Sequence, residues 1–356
     1  MVTVLRDVKN LTQEELVAFV EQLGQPAFRA RQLLAWLYKP GITQFEQMTD
    51  LAKVFRAVLA EKATISRFDR AIIEESRDGT IKFAFRLEDG AVIESVFIPE
   101  NDRNTLCVSS QVGCAMGCHF CLTGQMGFTR NLTAAEIINQ VCAVRDWARA
   151  GEKGELSNLV FMGMGEPLAN MNNLLKSISI LTEQRGLGFS ARRITVSTCG
   201  LVPQMLELGE QTNVNLAVSL HAVENDQRNR MMPINRKYPI QEIVAACKQY
   251  RHKKRQRIMI EYTLQQGLND SDHDARALAA LLRGIPCKIN LLATNSGPAV
   301  QVPSSSRDRI LAFQQVLRDN GYTVFIRQSR GSDIAAACGQ LAGKQWQEER
   351  TQLLEH

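Results

Sequence analysis

From residue 104 onward, short runs rich in β-branched residues alternate with amphipathic stretches, and this alternation constrains the fold more than any other feature. The runs at 105–110, 158–162, 193–197, 215–219, 257–264, 288–292 and 323–327 are predicted to be strands. Helices are predicted near 133–149, 170–185, 201–210, 239–252, 272–283 and 306–320. Such alternation produces right-handed βαβ units and a parallel sheet. Six repeats fit either a partial barrel or a doubly wound sheet.

The first 103 residues follow other patterns. Thr12 and Glu15 fit a capping box at a helix start, Lys39-Pro40-Gly41 ends a second helical stretch, and 45–63 predicts a third helix. The turn Glu88-Asp89-Gly90 separates two alternating runs, which predicts a β-hairpin. We therefore divide the chain into a helical N-terminal domain (1–64), a β-rich connecting segment (65–103), an α/β domain (104–343) and a tail (344–356).

Cysteine usage indicates the cellular setting. The nine cysteines are odd in number, four of them lie within residues 107–121, and the first residues lack the pattern of a secretion signal. Such crowding is typical of metal or redox chemistry in a cytoplasmic protein and not of a disulfide framework. No run of eighteen apolar residues predicts a membrane span. The four scattered cysteines Cys142, Cys199, Cys247 and Cys287 are expected to be buried small apolar residues.

The segment Cys114-Ala-Met-Gly-Cys118-His-Phe-Cys121 follows the first predicted strand of the α/β domain and places three thiols close together. Three thiolates can bind one soft metal centre. A structural zinc site needs a fourth ligand, which His119, Cys107 or a remote residue would have to supply. A four-iron cluster with one iron open to another ligand is the second interpretation. The spacing by itself leaves both open.

Polar residues also follow several later strands. They are Gly165 and Glu166, then Ser197, then the segment Ser219-Leu220-His221, and finally Asn295. Each alone has an ordinary structural explanation, since a serine commonly caps a helix and a histidine is commonly a hydrogen-bonded core residue. The carboxyl ends of parallel strands meet at one edge of the fold. Together these residues therefore predict a polar ring around one cavity mouth.

A cysteine motif at this position resembles the signature of radical S-adenosylmethionine (SAM) enzymes. Within that superfamily the chain resembles the RlmN/Cfr family of RNA adenine methyltransferases over about residues 25–343. The matching stretches include Met162-Gly-Met-Gly-Glu-Pro, Met232-Pro-Ile-Asn-Arg and Gly331-Ser-Asp-Ile-Ala-Ala-Ala-Cys338-Gly-Gln-Leu, together with 106–114, 123–132, 197–203 and 218–221.

The resemblance implies a fold and a set of cofactors. The fold is α/β, a partial (β/α)6 radical SAM barrel with an N-terminal helical domain and a short β extension. Cys114, Cys118 and Cys121 would hold a [4Fe-4S] cluster, and two SAM molecules would be used per turnover. The SAM site would comprise Gly165, Glu166, Ser197, Ser219, Leu220, His221 and Asn295.

The resemblance also implies three catalytic residues. Cys338 would carry the methyl group as S-methylcysteine, Cys107 would release the product by forming a transient disulfide with it, and Glu94 would accept the proton from the ring carbon. Without the resemblance, the two cysteines would be interpreted as buried thiols and Glu94 as a strand residue facing water.

The implied substrate is an adenosine in RNA, in 23S rRNA of the peptidyl-transferase centre, in tRNA, or in both. Arg330-Gly331 before Ser-Asp-Ile is more similar to the carbon-2 branch than to the carbon-8 branch, whereas 291–301 departs from the family pattern after Asn295. The basic run at 248–257 is either a phosphate contact or a solvated helix end. The helical N-terminal domain is expected to help bind RNA.

Further expectations are an electron donor such as flavodoxin, a monomeric state and a cytoplasmic location, with no membrane partner. Three alternatives remain open. They are a carbon-8 methyltransferase of the same family, a zinc-stabilised RNA-binding module without catalysis, and a radical SAM enzyme of different chemistry.

Overall fold

The computed structural model describes residues 5–68, 70–100, 103–250, 256–295 and 303–342. Its N-terminal part consists of strand β1 (Arg6–Asp7), helices α1 (Gln13–Gln22), α2 (Phe28–Leu37) and α3 (Lys53–Lys62), and strand β2 (Ala63–Thr64). β1 and β2 pair in parallel, which brings the two ends of this part together. At the predicted start of α1, Thr12 and Glu15 form the capping box.

The single helix predicted over 45–63 is wrong in its first half. Phe45–Gln47 form one 3-10 turn, and α3 begins only at Lys53. The Gln47 side-chain oxygen accepts the N–H groups of Thr43 and Gln44 at 2.8 and 2.9 Å, so this turn closes on itself. The Asp50 carboxylate then accepts the indole N–H of Trp36 in α2. These side-chain bonds replace the helical hydrogen bonds of this stretch.

The β-rich segment extends the main sheet. Strands β3 (Ala71–Glu75), β4 (Ile81–Arg86) and β5 (Val92–Glu100) are antiparallel, and the predicted hairpin turn joins the last two. β5 pairs antiparallel with β6 (Arg103–Cys107), the first strand of the α/β part. Glu94 in β5 and Cys107 in β6 are thereby brought to the same region of the sheet.

The cysteine motif lies in an excursion from the sheet. β7 (Gln111–Gly113) pairs antiparallel with β8 (Phe128–Asn131), and the motif and the short helix α4 (Leu122–Gln125) lie between them. The sequence analysis missed this ribbon because its strands are very short.

The remaining strands pair in parallel with β6 and with one another, in chain order. They are β9 (Leu156–Phe161), β10 (Ile194–Thr198), β11 (Asn215–Ser219), β12 (Ile258–Leu264), β13 (Cys287–Ala293) and β14 (Val324–Arg327). Because chain order equals sheet order, every right-handed crossover places its helix on the same face. The sheet is therefore a partial barrel and not a doubly wound sheet. The predicted α/β class and partial (β/α)6 barrel with an N-terminal helical domain are confirmed.

Helices cover the outside of this barrel. They are α5 (Ala134–Ala150), α6 (Met171–Thr182), α7 (Val202–Gln211), α8 (Asn225–Met231), α9 (Ile240–Gln249), α10 (Asp272–Leu281) and α11 (Arg307–Asp319). Only the polar α8 was not predicted. The N-terminal part packs on α5, where the buried Lys9 ammonium donates to Asn139 Oδ1 at 3.0 Å.

Some predictions lie outside the described residues. These are the basic residues 251–255, the loop 296–302 that departs from the family pattern, and the tail 344–356. Within the described ranges, no helix combines the length and apolar character needed to cross a membrane. The four scattered cysteines are buried, as predicted.

Candidate active site

A cavity of about 170 Å³ lies at the carboxyl ends of β9 to β13. Most of the predicted site residues line it: Cys114, Cys118, Cys121, Gly165, Glu166, Ser197, Ser219, His221, Asn295 and Cys338. Three predicted residues, Leu220, Cys107 and Glu94, are buried beside it and do not form its wall. The fold thus gathers residues that span more than two hundred positions of sequence.

The three motif cysteines share one wall of this cavity. Burial raises the pKa of all three thiols, that of Cys114 to about 12, and each thiol also interacts electrostatically with another of the three. A cationic metal centre is the partner that would stabilise three thiolates in such a place.

The donor set fits an iron–sulfur cluster better than a single zinc ion. Among the described residues, no three His, Cys, Asp or Glu side chains converge on the position of one metal ion. His119, the nearest candidate for a fourth zinc ligand, is exposed and does not line the cavity. The thiolates of a four-iron cluster bind different irons, so three separated thiols on one wall suit it.

Gly165 and Glu166 connect the end of β9 to its neighbours. Gly165 has φ +96°, and a Cβ there would lie 2.4 Å from the Gln111 Cβ, so only glycine fits. The buried Glu166 carboxylate accepts the backbone N–H of Cys199 at 2.8 Å and of Leu168 at 3.1 Å. Glu166 therefore ties β9 to β10, and it also lines the cavity.

His221 follows β11 in the left-handed conformation, with φ +59°. Its Nδ1 accepts the backbone N–H of Thr263 at 3.0 Å, and its ring meets Phe120 edge to face at 5.0 Å. Burial lowers the pKa of His221 to about 3. The imidazole is therefore neutral near pH 7, and because Nδ1 is an acceptor, Nε2 carries the proton. Ser197 does not cap α7, whose N-terminal neighbour is Leu201, and it faces the cavity.

Folding stability is expected to fall as the pH falls from about 6.5 towards 3, in part through His221. The unfolded chain binds a proton at this residue below about pH 6.5, but the folded chain binds it only near pH 3. The contribution is at most about 1.4 kcal/mol per pH unit. Urea unfolding across this range checks it. His221→Asn, which tolerates a positive φ, should flatten the curve, and the exposed His273→Asn should not; equal curves for both variants would contradict the assignment.

The Cys338 segment lies against the cysteine motif. The backbone N–H of Leu122 donates to Gly339 O at 2.7 Å, and Thr123 Oγ1 donates to Leu341 O at 2.6 Å. Asn295 Nδ2 donates to the carbonyl of Cys338 at 3.2 Å. Cys338 itself is exposed and lines the cavity. These contacts place the thiol at the cavity mouth, next to the predicted cluster ligands.

Cys107 and Glu94 lie beneath this segment. Burial, together with a smaller electrostatic contribution from Cys338, raises the pKa of Cys107 to about 12. The Glu94 carboxylate is 2% exposed, accepts the N–H of Ala342 at 2.9 Å and lies 3.7 Å from the ammonium of Lys82. The interpretation of Glu94 as a strand residue facing water is therefore wrong.

Arg228 was missed by the sequence analysis. This fully buried side chain donates from Nε to Leu220 O at 2.9 Å and from Nη2 to Cys199 O at 2.6 Å and Ser219 O at 3.0 Å. Its Nη1 donates to Asn235 Oδ1 at 3.0 Å. Arg228 thereby fixes the ends of β10 and β11. It stands in a polar stretch typical of a surface helix, so no local pattern distinguishes it.

Arg327, at the end of β14, was also missed and lines the cavity. Its electrostatic interactions, foremost with Cys338 and then with Glu261 and Cys107, raise the pKa of its guanidinium. Its Nη1 lies 3.5 Å from the Met162 sulfur. Arg327 is thus a cation that interacts electrostatically with both Cys338 and Cys107.

Comparisons with known proteins agree with this architecture. Residues 6–65 match the model of the ribosomal RNA large subunit methyltransferase N-terminal domain, and residues 108–279 match that of the radical SAM superfamily. A protein of Desulfotalea psychrophila named dual-specificity RNA methyltransferase RlmN is 59% identical over 343 residues, which cover 94% of each chain. The chain belongs to the RlmN family of radical SAM RNA methyltransferases.

Two further comparisons support the same family assignment. A Geobacter sulfurreducens protein of the same name is 52% identical, covering 95% of this chain and 92% of its own length. The crystal structure of a radical SAM methyltransferase from Sphaerobacter thermophilus has a TM-score of 0.89 and 45% identity, covering 95% of this chain and 99% of that one. The predicted family, its RlmN branch and its SAM-dependent RNA methyltransferase class are confirmed, and the family uses a [4Fe-4S] cluster and SAM.

Proposed function

We propose that this RlmN-family protein methylates carbon 2 of an adenosine in RNA, with 23S rRNA of the peptidyl-transferase centre and tRNA as its substrates. Relatives named dual-specificity RNA methyltransferase and an N-terminal domain typical of large-subunit rRNA methyltransferases support this proposal. The observation that carries its chemistry is the contact between the Cys338 segment and helix α4, which directly follows Cys121 of the cysteine motif.

Cys114, Cys118 and Cys121 would hold the cluster, and the polar strand ends around Glu166, Ser197 and His221 would hold SAM. When bound, these two groups supply the methyl group and the 5′-deoxyadenosyl radical. The wall residues orient the adenosine and methionine moieties through fixed hydrogen-bonding groups, because Glu166 and His221 are already held by backbone N–H groups. A prearranged site of this kind lowers the entropic cost of reaching the reactive geometry.

Two thiols are needed because carbon 2 of adenine is not nucleophilic enough to take a methyl group directly from a sulfonium. The exposed Cys338 would accept the methyl group on sulfur and later join the RNA base through it. Cys107 would then attack the Cys338 sulfur, so that the S–S bond forms while the bond from that sulfur to the base-linked carbon breaks. That carbon would leave with the electron pair and take up a proton, which completes the methyl group and frees the base. The burial of Cys107 beneath the segment supports this role, because only a thiol that interacts with Cys338 can resolve the adduct.

Glu94 would accept the proton that leaves carbon 2. Its carboxylate is held by the N–H of Ala342, four residues after Cys338, and is thereby coupled to the segment that carries the methyl group. The Lys82 ammonium lies 3.7 Å from this carboxylate and pairs with it as a buried ion pair.

The other candidate functions are less well supported. A non-catalytic zinc module does not explain the exposed Cys338 beside three cavity thiols, and a radical SAM enzyme of different chemistry does not explain Cys107 beneath it. The relatives belong to the RlmN branch, which does not favour carbon-8 methylation.

The proposed partners follow from the same chemistry. RNA is the substrate, an external electron donor of the flavodoxin type would reduce the cluster, and the protein would work as a monomer in the cytoplasm without a membrane partner. The cytoplasm is where rRNA and tRNA are modified in bacteria and where free cysteines stay reduced.

A mass measurement on Cys338 tests the proposal. Protein purified without oxygen is expected to yield the tryptic peptide 331–344 with the mass of one added methyl group on Cys338. Incubating RNA with the reduced holoenzyme and SAM should then give 2-methyladenosine in digested rRNA and tRNA. An unmodified Cys338 after cluster reconstitution and incubation with SAM would contradict the methyl-carrier role, and 8-methyladenosine would contradict the regiochemistry.

A further inference from the structure

A carboxylate with an unfilled hydrogen-bonding position lines the cavity. Glu261, in the middle of β12, is 5% exposed, and its Oε1 accepts a hydrogen bond from Asn290 Nδ2 at 2.9 Å. Among the residues that the structure describes, the other oxygen, Oε2, has no hydrogen-bond partner. A buried polar atom left unpaired is costly, and most such atoms in folded proteins have a partner.

The position of Glu261 is fixed by its surroundings. The residue stands opposite Ser219 of β11 and opposite Asn290 of β13 in the sheet register. Its carbonyl oxygen accepts the N–H groups of Leu220 at 3.1 Å and of His221 at 3.4 Å. The same residue therefore supports the predicted SAM-binding turn through its backbone and faces the cavity with its side chain.

The Glu261 carboxylate has a charged neighbour, but its Oε2 atom has no hydrogen-bond partner among the described residues. Arg327 interacts electrostatically with Glu261, yet it makes no hydrogen bond or close ion pair with the carboxylate within the described residues. The cavity wall therefore contains a carboxylate that is held by Asn290 through one oxygen and has a second, buried oxygen without a hydrogen-bond partner among the described residues.

We propose that Glu261 is a further binding residue of this site, whose free oxygen accepts a hydrogen bond from an N–H or O–H group of a bound adenosine. The inference rests on the proposed function, because that reaction brings two adenosines to the cavity, one in SAM and one in the RNA target. Both carry an amine on the base and hydroxyls on the ribose, which are the donors that a carboxylate accepts.

Glu261→Gln is a sharp test because Asn290 determines how the amide must orient. The Asn290 N–H keeps its bond only if the glutamine oxygen faces it, and the glutamine NH₂ then takes the position of the unpaired Oε2. The variant therefore keeps the size and the Asn290 contact but changes an acceptor into a donor. A hydrogen bond to a charged group is lost, which corresponds to an affinity decrease of about ten- to a hundredfold.

Two binding measurements on the cluster-reconstituted protein distinguish the two adenosines. S-adenosylhomocysteine reports on the SAM position by calorimetry, and unmodified tRNA or a 23S rRNA fragment reports on the target position by equilibrium binding with S-adenosylhomocysteine present. A loss of affinity for S-adenosylhomocysteine assigns Glu261 to SAM, and a loss for RNA alone assigns it to the target base; either result supports the proposal. Unchanged affinity for both overturns it.

Controls separate binding from folding and from charge. Glu210→Gln removes the same charge from an exposed position of α7 and should bind both probes like the wild type. Glu261→Asp keeps an acceptor and should bind more tightly than Glu261→Gln; equal losses in both variants would overturn the hydrogen-bond assignment. A wild-type protein that methylates neither RNA would contradict the proposed function and leave the S-adenosylhomocysteine measurement valid.

Discussion

Cys107→Ala is expected to leave the protein covalently attached to its RNA through Cys338. The proposed release step needs a thiol that reaches the Cys338 sulfur, and Cys107 is the buried cysteine beneath that segment that interacts with it. Without this thiol the thioether bond to the base persists, and multiple turnover should fall by at least about a thousandfold, comparable to the loss of a residue on which covalent catalysis depends. Nuclease-treated protein analysed by denaturing gel and mass spectrometry should show an attached nucleotide.

Matched cysteine variants test the specificity of this result. Cys142→Ala changes another buried cysteine, in α5 and away from the cavity, and should leave turnover within a fewfold of the wild type. Adding Cys338→Ala to Cys107→Ala should abolish the adduct. A Cys107→Ala protein that carries no RNA and still turns over would show that another group releases the product.

Glu94→Gln is expected to slow RNA methylation by about 10²- to 10⁴-fold, the usual contribution of a general base. The amide retains the shape and can still accept the N–H of Ala342, so the C-terminal segment should stay in place. Methylation of Cys338 should therefore persist, because it requires no proton transfer to Glu94. Single-turnover RNA methylation and the peptide mass of Cys338 measure the two steps separately.

Glu74→Gln is the matched control for charge. The Glu74 carboxylate also pairs with Lys82, at 3.0 Å, but it lies two strands away from β5 at the edge of the sheet and is more exposed than Glu94. This variant should methylate RNA within a fewfold of the wild type. If both substitutions slow the reaction equally, the loss of an ion pair with Lys82 explains the effect, and Glu94 is not the base.

The sequence by itself determined the elements and their order. The alternation from residue 104 predicted the strands and most helices of the barrel, because period-2 and period-3.6 patterns reflect which face of each element is buried. The spacing of Cys114, Cys118 and Cys121 likewise predicted a metal centre, since ligands that are close in sequence remain close in any fold. Only the family resemblance predicted catalytic roles for Cys338, Cys107 and Glu94, because their spacing carries no such information.

Only the tertiary structure decided which distant residues meet. Cys338 reaches the cysteine motif through hydrogen bonds of Gly339 and Leu341 to α4, contacts more than two hundred residues apart in sequence. Arg228 appears in a polar stretch yet is fully buried, because carbonyls at the ends of β10 and β11 and the Asn235 side chain satisfy its donors. Glu261 in an apolar strand faces the cavity because the register places it beside Ser219 and Asn290. Local sequence patterns indicate which face of a helix or strand is buried. The hydrogen-bond partners of a buried polar group depend instead on the sheet register and on the loop conformations, which are determined only when the whole chain folds.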